Sequence, residues 1–532
     1  MEADQPLSIA FLPWPEVLLV MMLSCIIYFY NIAREKPYAG IPLVQISQDN
    51  RGWWRRCLEG PGNPQDYMFD GKRVLEEGIK TTRGESPFQV KGGAGFRIIL
   101  PNRFADELRS HPDLSFNDFT RKQMHADFHG FDGIREAVRD DRLMADLVQQ
   151  RLTQCLNLVT DDLADEAVHA IALHLGDEKA EWETHRFKDV LLDIVARVST
   201  RVFAGKELAR HPEWLYITKQ YTVELMTASA SLHQYPAPLR AIFQWFNPSC
   251  RQLRWQCKTA RNIIEPMFAK KLQERQALKE KRLDTNAKSL DAFNMMLDMA
   301  ENKGVVNYDA AAGQLMLSFA AIHTTTETLG RCLIRLCEYP DVQQPLREEI
   351  ISVLKEEGWN KTAFPKLMLM DSFMKEVTRH FTMGVTSMGR SLRKQVVLSD
   401  GTVLPKNSMV VFHNDKLKDE TTYSDPEKFD AWRHLKLRQR PGESNRHQFV
   451  TTSPNNLIFG HGKYACPGRF FGSNEIKILL CILLLRYDFR IEPGTKMPPH
   501  PLFETTMSLH PDFKLQVRRR QEEIDVVDPR KA

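Results

Sequence analysis

Residues 459–471 read FGHGKYACPGRFF, and the cysteine in that stretch organises the reading of everything around it. Cys466 is followed by Pro467 and Gly468 and then by the apolar run SNEIKILLCILLL. Proline suits the first turn of a helix, so the run predicts a helix that begins just after the cysteine. A thiolate at such a place is stabilised by free backbone N–H groups and the positive end of the helix dipole, which makes it a metal ligand. Glycines at 460, 462 and 468 leave room for a flat ligand to lie close to the backbone. The bland alternative is a core cysteine beside a glycine-rich turn. Against it, the spacing FxxGxxxCxG is complete, with Phe459, Gly462, Cys466 and Gly468 all in register.

The other eight cysteines lie scattered at 25, 57, 155, 250, 257, 332, 337 and 481, with no CxxC pair. Such a set reads as reduced thiols facing a cytosol, most of them small core hydrophobes. The 532 residues carry 72 basic and 68 acidic side chains, a net +4 that is too balanced for nucleic-acid binding. Length alone suggests about three domains. No repeat or low-complexity linker divides the chain, which favours one large body over 37–532. Before it, 11–30 reads FLPWPEVLLVMMLSCIIYFY with Glu16 as its one charge. That is close to the ~20 residues a helix needs to cross a bilayer. Trp14, Tyr28 and Tyr30 sit near its ends; Glu2 and Asp4 precede it, and Arg34 and Lys36 follow. The charges predict a membrane anchor over 1–36 with the body in the cytosol, and not a cleaved signal peptide, whose positive charges would lie on the other side.

Most of the body has helical periodicity: 102–110, 140–172, 187–202, 251–281, 308–338 and 367–381 each read as helices, with a polar connection at 282–289. Between 385 and 412 the apolar residues alternate around an Asp-Gly turn, which predicts a β-hairpin. A further strand pair is expected over 505–517. The fold class is mainly α with a small β portion.

With these segments in order, the sequence resembles the cytochrome P-450 family of haem-thiolate enzymes over nearly the whole chain after the anchor. Cys466 takes the place of the axial ligand to haem iron. Glu376 and Arg379 match the family's ExxR, and at i and i+3 they share a helix face. The resemblance joins them to Arg433, in FDAWRH, as a structural charge network. The stretch AAIHTT at 320–325 resembles the oxygen-activation motif of a subgroup of filamentous-fungal members. Thr324 is thereby implied to handle the proton-donating water. His323 stands where an acid is usual, and two readings stay open: a proton relay or a packed helix histidine. Tyr464 replaces the Arg or His common two residues before the cysteine, and the WxxxR of many members is missing. Propionate contacts are therefore expected from Arg390 and His461, with Arg139 and Arg142 behind them.

The resemblance implies haem b, electrons from NADPH through a partner reductase, and placement in the endoplasmic reticulum membrane. It also implies a pocket lined by 113–131, 315–324, 382–388 and 504–508. Those segments supply Phe116, Phe119, Phe128, Phe131, Met316, Phe319, Met383, Val385 and Met388, a lining that suits a lipophilic substrate. Fungal members of this kind oxidise terpenoid, indole-terpenoid or polyketide scaffolds. The expected function is a membrane-anchored monooxygenase of secondary metabolism. A haem-thiolate isomerase or dehydratase is the rival within the fold, and a catalytically silent haem-binding membrane protein is the rival outside it.

Overall fold

The computed structural model describes residues 14–33, 36–47, 60–176, 181–280 and 291–531, without the side chains of 29–33, 278–280 and 531. Residues 1–13, Arg34, Cys57 and the connection at 282–289 lie outside the described residues.

The principal helices are α1 (Trp14–Ala33), α2 (Pro64–Thr82), α3 (Phe116–Gln123), α4 (Leu156–Leu175), α5 (Phe187–Leu208), α6 (Pro212–Leu232), α7 (Pro248–Glu280), α8 (Ala310–Glu338), α9 (Gln343–Glu357), α10 (Met368–His380), α11 (Arg433–Arg438) and α12 (Arg469–Arg486). Their ends follow ordinary capping chemistry. Asp309 accepts from Ala312 N at 2.9 Å at the start of α8, and Asn63 caps α2 with Pro64 at its first position. Helix α8 is the axis of the body and packs against α5, α6, α7, α10 and α12. Helix α12 is buried all round from Ile476 to Leu485, which explains an apolar run too short for a membrane.

Among the described residues, twelve strands are arranged in four small sheets. β1 (Phe88–Gly92), β2 (Gly95–Leu100), β3 (Leu114–Ser115), β5 (Thr386–Leu392) and β8 (Met409–His413) form one sheet in the order β1-β2-β8-β5-β3. The remaining sheets are β4 (Glu183–Arg186) with β12 (Lys514–Arg519) and β9 (Tyr487–Arg490), β6 (Val396–Val397) with β7 (Val403–Leu404), and β10 (Leu502–Phe503) with β11 (Thr506–Met507).

Four expectations change. The helix foreseen over 140–172 is split: a short helix at Leu143–Asp146 runs into a π turn at Leu147–Leu152, and α4 starts only at Leu156. No Pro or Gly marks this break, so periodicity alone runs through it. The 505–517 pair is not a pair, because β11 joins β10 while β12 joins strands some 30 and 330 residues away. The 385–412 hairpin has two tiers, β6–β7 at the Asp400-Gly401 turn and β5–β8 outside, with a register shift between Ser387 and Arg390. The fourth concerns the membrane. In α1, Leu18, Leu19, Val20, Met21, Met22, Ile26 and Ile27 are all exposed, so this helix is not sheathed by the body. Among the described residues no helix is long and apolar enough to cross a membrane. The side chains beyond Tyr28 that would complete the expected span are outside them.

Candidate active site

The cysteine loop is built by short-range bonds. Cys466 N donates to Phe459 O at 2.8 Å, closing the loop over its own glycines, and Phe459 packs edge-on against Phe449. Gly460 and Gly462 take φ of +67° and +75°, which favours glycine. At Gly462 a Cβ would stand 2.5 Å from both the Cβ and the carbonyl oxygen of Arg109. The glycine is therefore required by a neighbouring turn of protein. Burial pushes the Cys466 thiol up. The backbone N–H groups of Gly468 and Arg469 and the Arg469 charge oppose that shift and favour the thiolate.

A buried charge network is built around Glu376 of α10. The Arg379 guanidinium grips Glu376 at 2.7 and 2.8 Å, and neither side chain exposes any surface. Arg433 Nε donates to the same carboxylate at 3.0 Å, and its other nitrogens donate to the carbonyls of Ser424, Asp425 and Lys428. Arg379 also donates to Leu417 O at 2.6 Å. His434, a member missed in the sequence although it adjoins Arg433, stands 3.5 Å from Glu376. Burial opposes ionisation of Glu376, but hydrogen bonds and charge from Arg379 and His434 outweigh it and hold the carboxyl at about 2.

A second bridge was also not foreseen. Asp371 of α10 accepts from Lys477 of α12 at 2.7 Å and from Phe449 N at 2.7 Å, so the helix after the cysteine is tied to the ExxR helix. Lys375 donates to the carbonyls of Gln448 and Thr451 at 2.6 and 3.0 Å, and burial lowers its amine to about 8. A buried lysine that serves only carbonyls has no signature in one sequence.

Over the core-facing length of α8, Ala320 and Thr324 are exposed and Met316 is partly so, while the residues between them are buried or half-buried. At i, i+4 and i+8 these three form one stripe, the open face of an otherwise enclosed helix. Thr324 Oγ1 donates to Ala320 O at 2.7 Å. His323 is turned elsewhere: its Nε2 lies 2.9 Å from Lys219 O of α6, and burial lowers its pKa. Of the expected apolar lining, Phe131 and Met388 prove to be core residues at 0% and 5% exposure.

Arg390 is 98% buried. Its Nη1 donates to Gly389 O at 2.7 Å, but Nε and Nη2 have no hydrogen-bond partner. Its guanidinium lies over the rings of Tyr464 and Phe116, and desolvation lowers it to about 10. A buried cation with two unpartnered nitrogens fits an anionic group such as a haem propionate. His461 does not stand ready in the same way. Its Nδ1 faces Thr452 Oγ1 at 3.0 Å and its Nε2 faces Asp106 at 3.1 Å and Arg109 at 3.4 Å. Arg139 and Arg142 are drawn into pairs with Glu136, Asp141 and Asp146. The soft thiolate of Cys466 and the unpaired Arg390 together fit a haem.

A cysteine loop whose N–H groups favour a thiolate, a buried charge network on α10 and a helix with an open Ala–Thr stripe together define the haem-thiolate monooxygenase class. The family model described as Cytochrome P-450 matches residues 116–517, and the chain belongs to that family. It is 38% identical over 526 residues to the cytochrome P-450 monooxygenase bsc2 of Alternaria brassicicola, covering 97% of this chain and 96% of that one. It is also 38% identical to cytochrome P-450 monooxygenase 1 of Gibberella fujikuroi, over 83% of this chain and 99% of that one. The solved structure of a retinoic acid-bound cyanobacterial CYP120A1 shares the fold, with a TM-score of 0.60 at 16% identity, over 90% of this chain and 99% of that one.

The network makes a stability prediction. The Glu376 pKa is lower in the folded chain than the ~4.3 of an unfolded carboxyl. Its contribution is thus complete above about pH 5 and is lost as pH falls toward 2. Glu376→Ala should cost roughly 3–5 kcal/mol at pH 7, because it strands two buried arginines. Denaturant unfolding should also show a shallower loss of stability between pH 5 and 2 than in the wild type.

Proposed function

We propose that this protein is a membrane-anchored monooxygenase that inserts one atom of dioxygen into a lipophilic substrate in fungal secondary metabolism. The observation that carries the proposal is the Cys466 loop, present together with the buried network of Glu376, Arg379 and Arg433. A terpenoid, indole-terpenoid or polyketide scaffold suits the apolar segments that face α8. Haem b bound through Cys466 supplies the dioxygen chemistry, with electrons passed from NADPH by a partner reductase.

The chain's own residues do the rest. The N–H groups of Gly468 and Arg469 hold negative charge on the Cys466 sulfur. Arg390 would hold a propionate, and Phe459, Gly462 and Gly468 shape the loop that would receive the cofactor. His461 pins the loop to the 106–109 turn. Met316 and Ala320 present an apolar face that keeps bulk water from the reacting carbon. Thr324, whose hydroxyl already points along that stripe, orients the water that delivers protons. His323 stays engaged with α6 and acts as a packing residue. The exposed apolar side chains of α1 insert into the endoplasmic reticulum membrane and leave the body on the cytosolic side.

Three outcomes test this reading. Cys466→Ala should abolish the red-shifted Soret band of the ferrous carbon monoxide complex together with turnover; a variant that keeps both overturns the ligand assignment. Thr324→Ala should retain haem and NADPH oxidation but release far more of the electrons as peroxide, since a general-acid step contributes typically 10²–10⁴-fold. Unchanged coupling there would favour an isomerase. Removal of residues 1–36 should leave a haem-loaded body that no longer sediments with membranes.

A further inference from the structure

Arg390 reaches its place through an irregularity in β5. Ser387 faces Phe412 of β8 and Arg390 faces Val410, so Met388 and Gly389 fill the span of one residue, Val411, on the partner strand. Such a bulge re-aims the side chains beside it. Met388 takes a φ of +52°, a left-handed conformation that a methionine rarely adopts. Helix α3 packs directly on the bulge, for a Cβ on Gly389 would stand 2.3 Å from the Phe119 ring. Just past β5, Arg393 donates to Asp118 of α3 at 2.7 Å, and Ser115 ahead of that helix pairs with Ser391. Phe116, the first residue of α3, is thereby held beside Arg390.

The Arg390 guanidinium carbon lies 4.8 Å from the centre of the Tyr464 ring and 5.8 Å from that of Phe116. The two ring centres are 6.1 Å apart. Strand β5, helix α3 and the cysteine loop thus each contribute one corner of a compact triangle. Lys463 Nζ also lies over the Tyr464 ring, at 5.3 Å, so this ring offers its π-electrons to two cations. Among the described residues no carboxylate acts on Arg390. A guanidinium is planar, delocalised and weakly hydrated, and aromatic faces hold it well where water is excluded. Contact of this kind uses up no N–H group, and Nε and Nη2 remain unpartnered. Tyr464 stands two residues before Cys466, where many members of the family carry Arg or His.

We propose that Phe116 and Tyr464 are positioning residues for the cofactor: their rings seat the Arg390 guanidinium and leave its unpartnered nitrogens for a haem propionate. The inference rests on the haem-thiolate reading. Tyr464 acts through Arg390 and not by its own contact with the anion, so its ring is needed and its hydroxyl is not. Phe116 makes the same seat depend on α3, a segment expected to line the pocket.

The test is the rate of haem loss from the ferric full chain to excess apomyoglobin, read beside the ferric–ferrous midpoint potential. Tyr464→Leu should speed haem loss on the order of tenfold, as expected for removal of a desolvated cation–π contact, and Phe116→Leu should act in the same direction. Tyr464→Phe keeps the ring and should stay within about twofold of the wild type. Arg390→Leu should lose haem at least as fast as Tyr464→Leu, and joining the two should add little, because the ring works through the cation. Tyr464→Leu and Arg390→Leu should both lower the potential, since a well-placed cation favours the reduced iron. The proposal is overturned by a Tyr464→Phe variant that loses haem as fast as Tyr464→Leu, which would give the role to the hydroxyl. Wild-type haem retention and potential in both ring-to-leucine variants overturn it, and so do effects of Tyr464→Leu and Arg390→Leu that multiply in the double variant. Where Tyr464→Leu takes up no haem, Phe116→Leu with and without Arg390→Leu decides on the same terms. Arg390→Lys, which keeps the charge and loses the planar face, stands in for an Arg390→Leu variant that stays empty. The haem-thiolate reading survives each of these results. A wild type that takes up no haem, or whose ferrous carbon monoxide complex lacks the red-shifted Soret band, removes both.

Discussion

A carboxylate with no accessible surface is tolerated only if nearly every lone pair is used. Glu376 meets that condition by accepting from Arg379, from Arg433 and from the backbone N–H of Asp430. The arginines then have donors to spare, and these reach the carbonyls of Leu417, Ser424, Asp425 and Lys428. Residues 414–433 contain little regular structure, yet their carbonyls are fixed by charge. Satisfying one buried acid thus orders a long irregular stretch, and the cysteine loop rests on its continuation.

The same economy recurs one turn earlier on α10. Asp371 reaches Lys477 and the N–H of Phe449, and Lys375 holds two carbonyls just before the loop. Helix α10 therefore works as a bracket with charged teeth on several sides, each engaging a different segment. Cooperative networks of this kind favour one arrangement over nearby ones. That suits a site whose sulfur must stand at a fixed place relative to the open stripe of α8.

Much of this was readable from one chain, and the boundary is physical. Cys466, Glu376, Arg379 and Arg433 were found because each sits in a short pattern in a set order, and α5, α7, α8 and α10 because their apolar residues recur with helical period. Partners that come together only through the fold left no trace. β12 gives no hint that it lies between Glu183–Arg186 and Tyr487–Arg490, and the π turn at Leu147–Leu152 hides inside an unbroken apolar repeat. His461 was recognised as a loop residue, but its occupation by Asp106, Arg109 and Thr452 depends on tertiary placement. His323 was a choice between two roles that only the position of Lys219 O could inform.

The contact between Gly462 and Arg109 bears on how such chains can be recombined. The turn at 106–110 also accepts the N–H of Lys463 at Arg109 O and at Ser110 Oγ, both at 3.2 Å, and holds His461 through Asp106. Two pieces some 350 residues apart in sequence thus form a single mould and its cast. A chimera that imports the cysteine loop of a relative without its matching 106–110 turn would set foreign side chains against a backbone with no clearance, whereas moving the two together carries the whole interface. The crossover points for domain shuffling in this chain are set by that pairing more than by the boundaries of its helices.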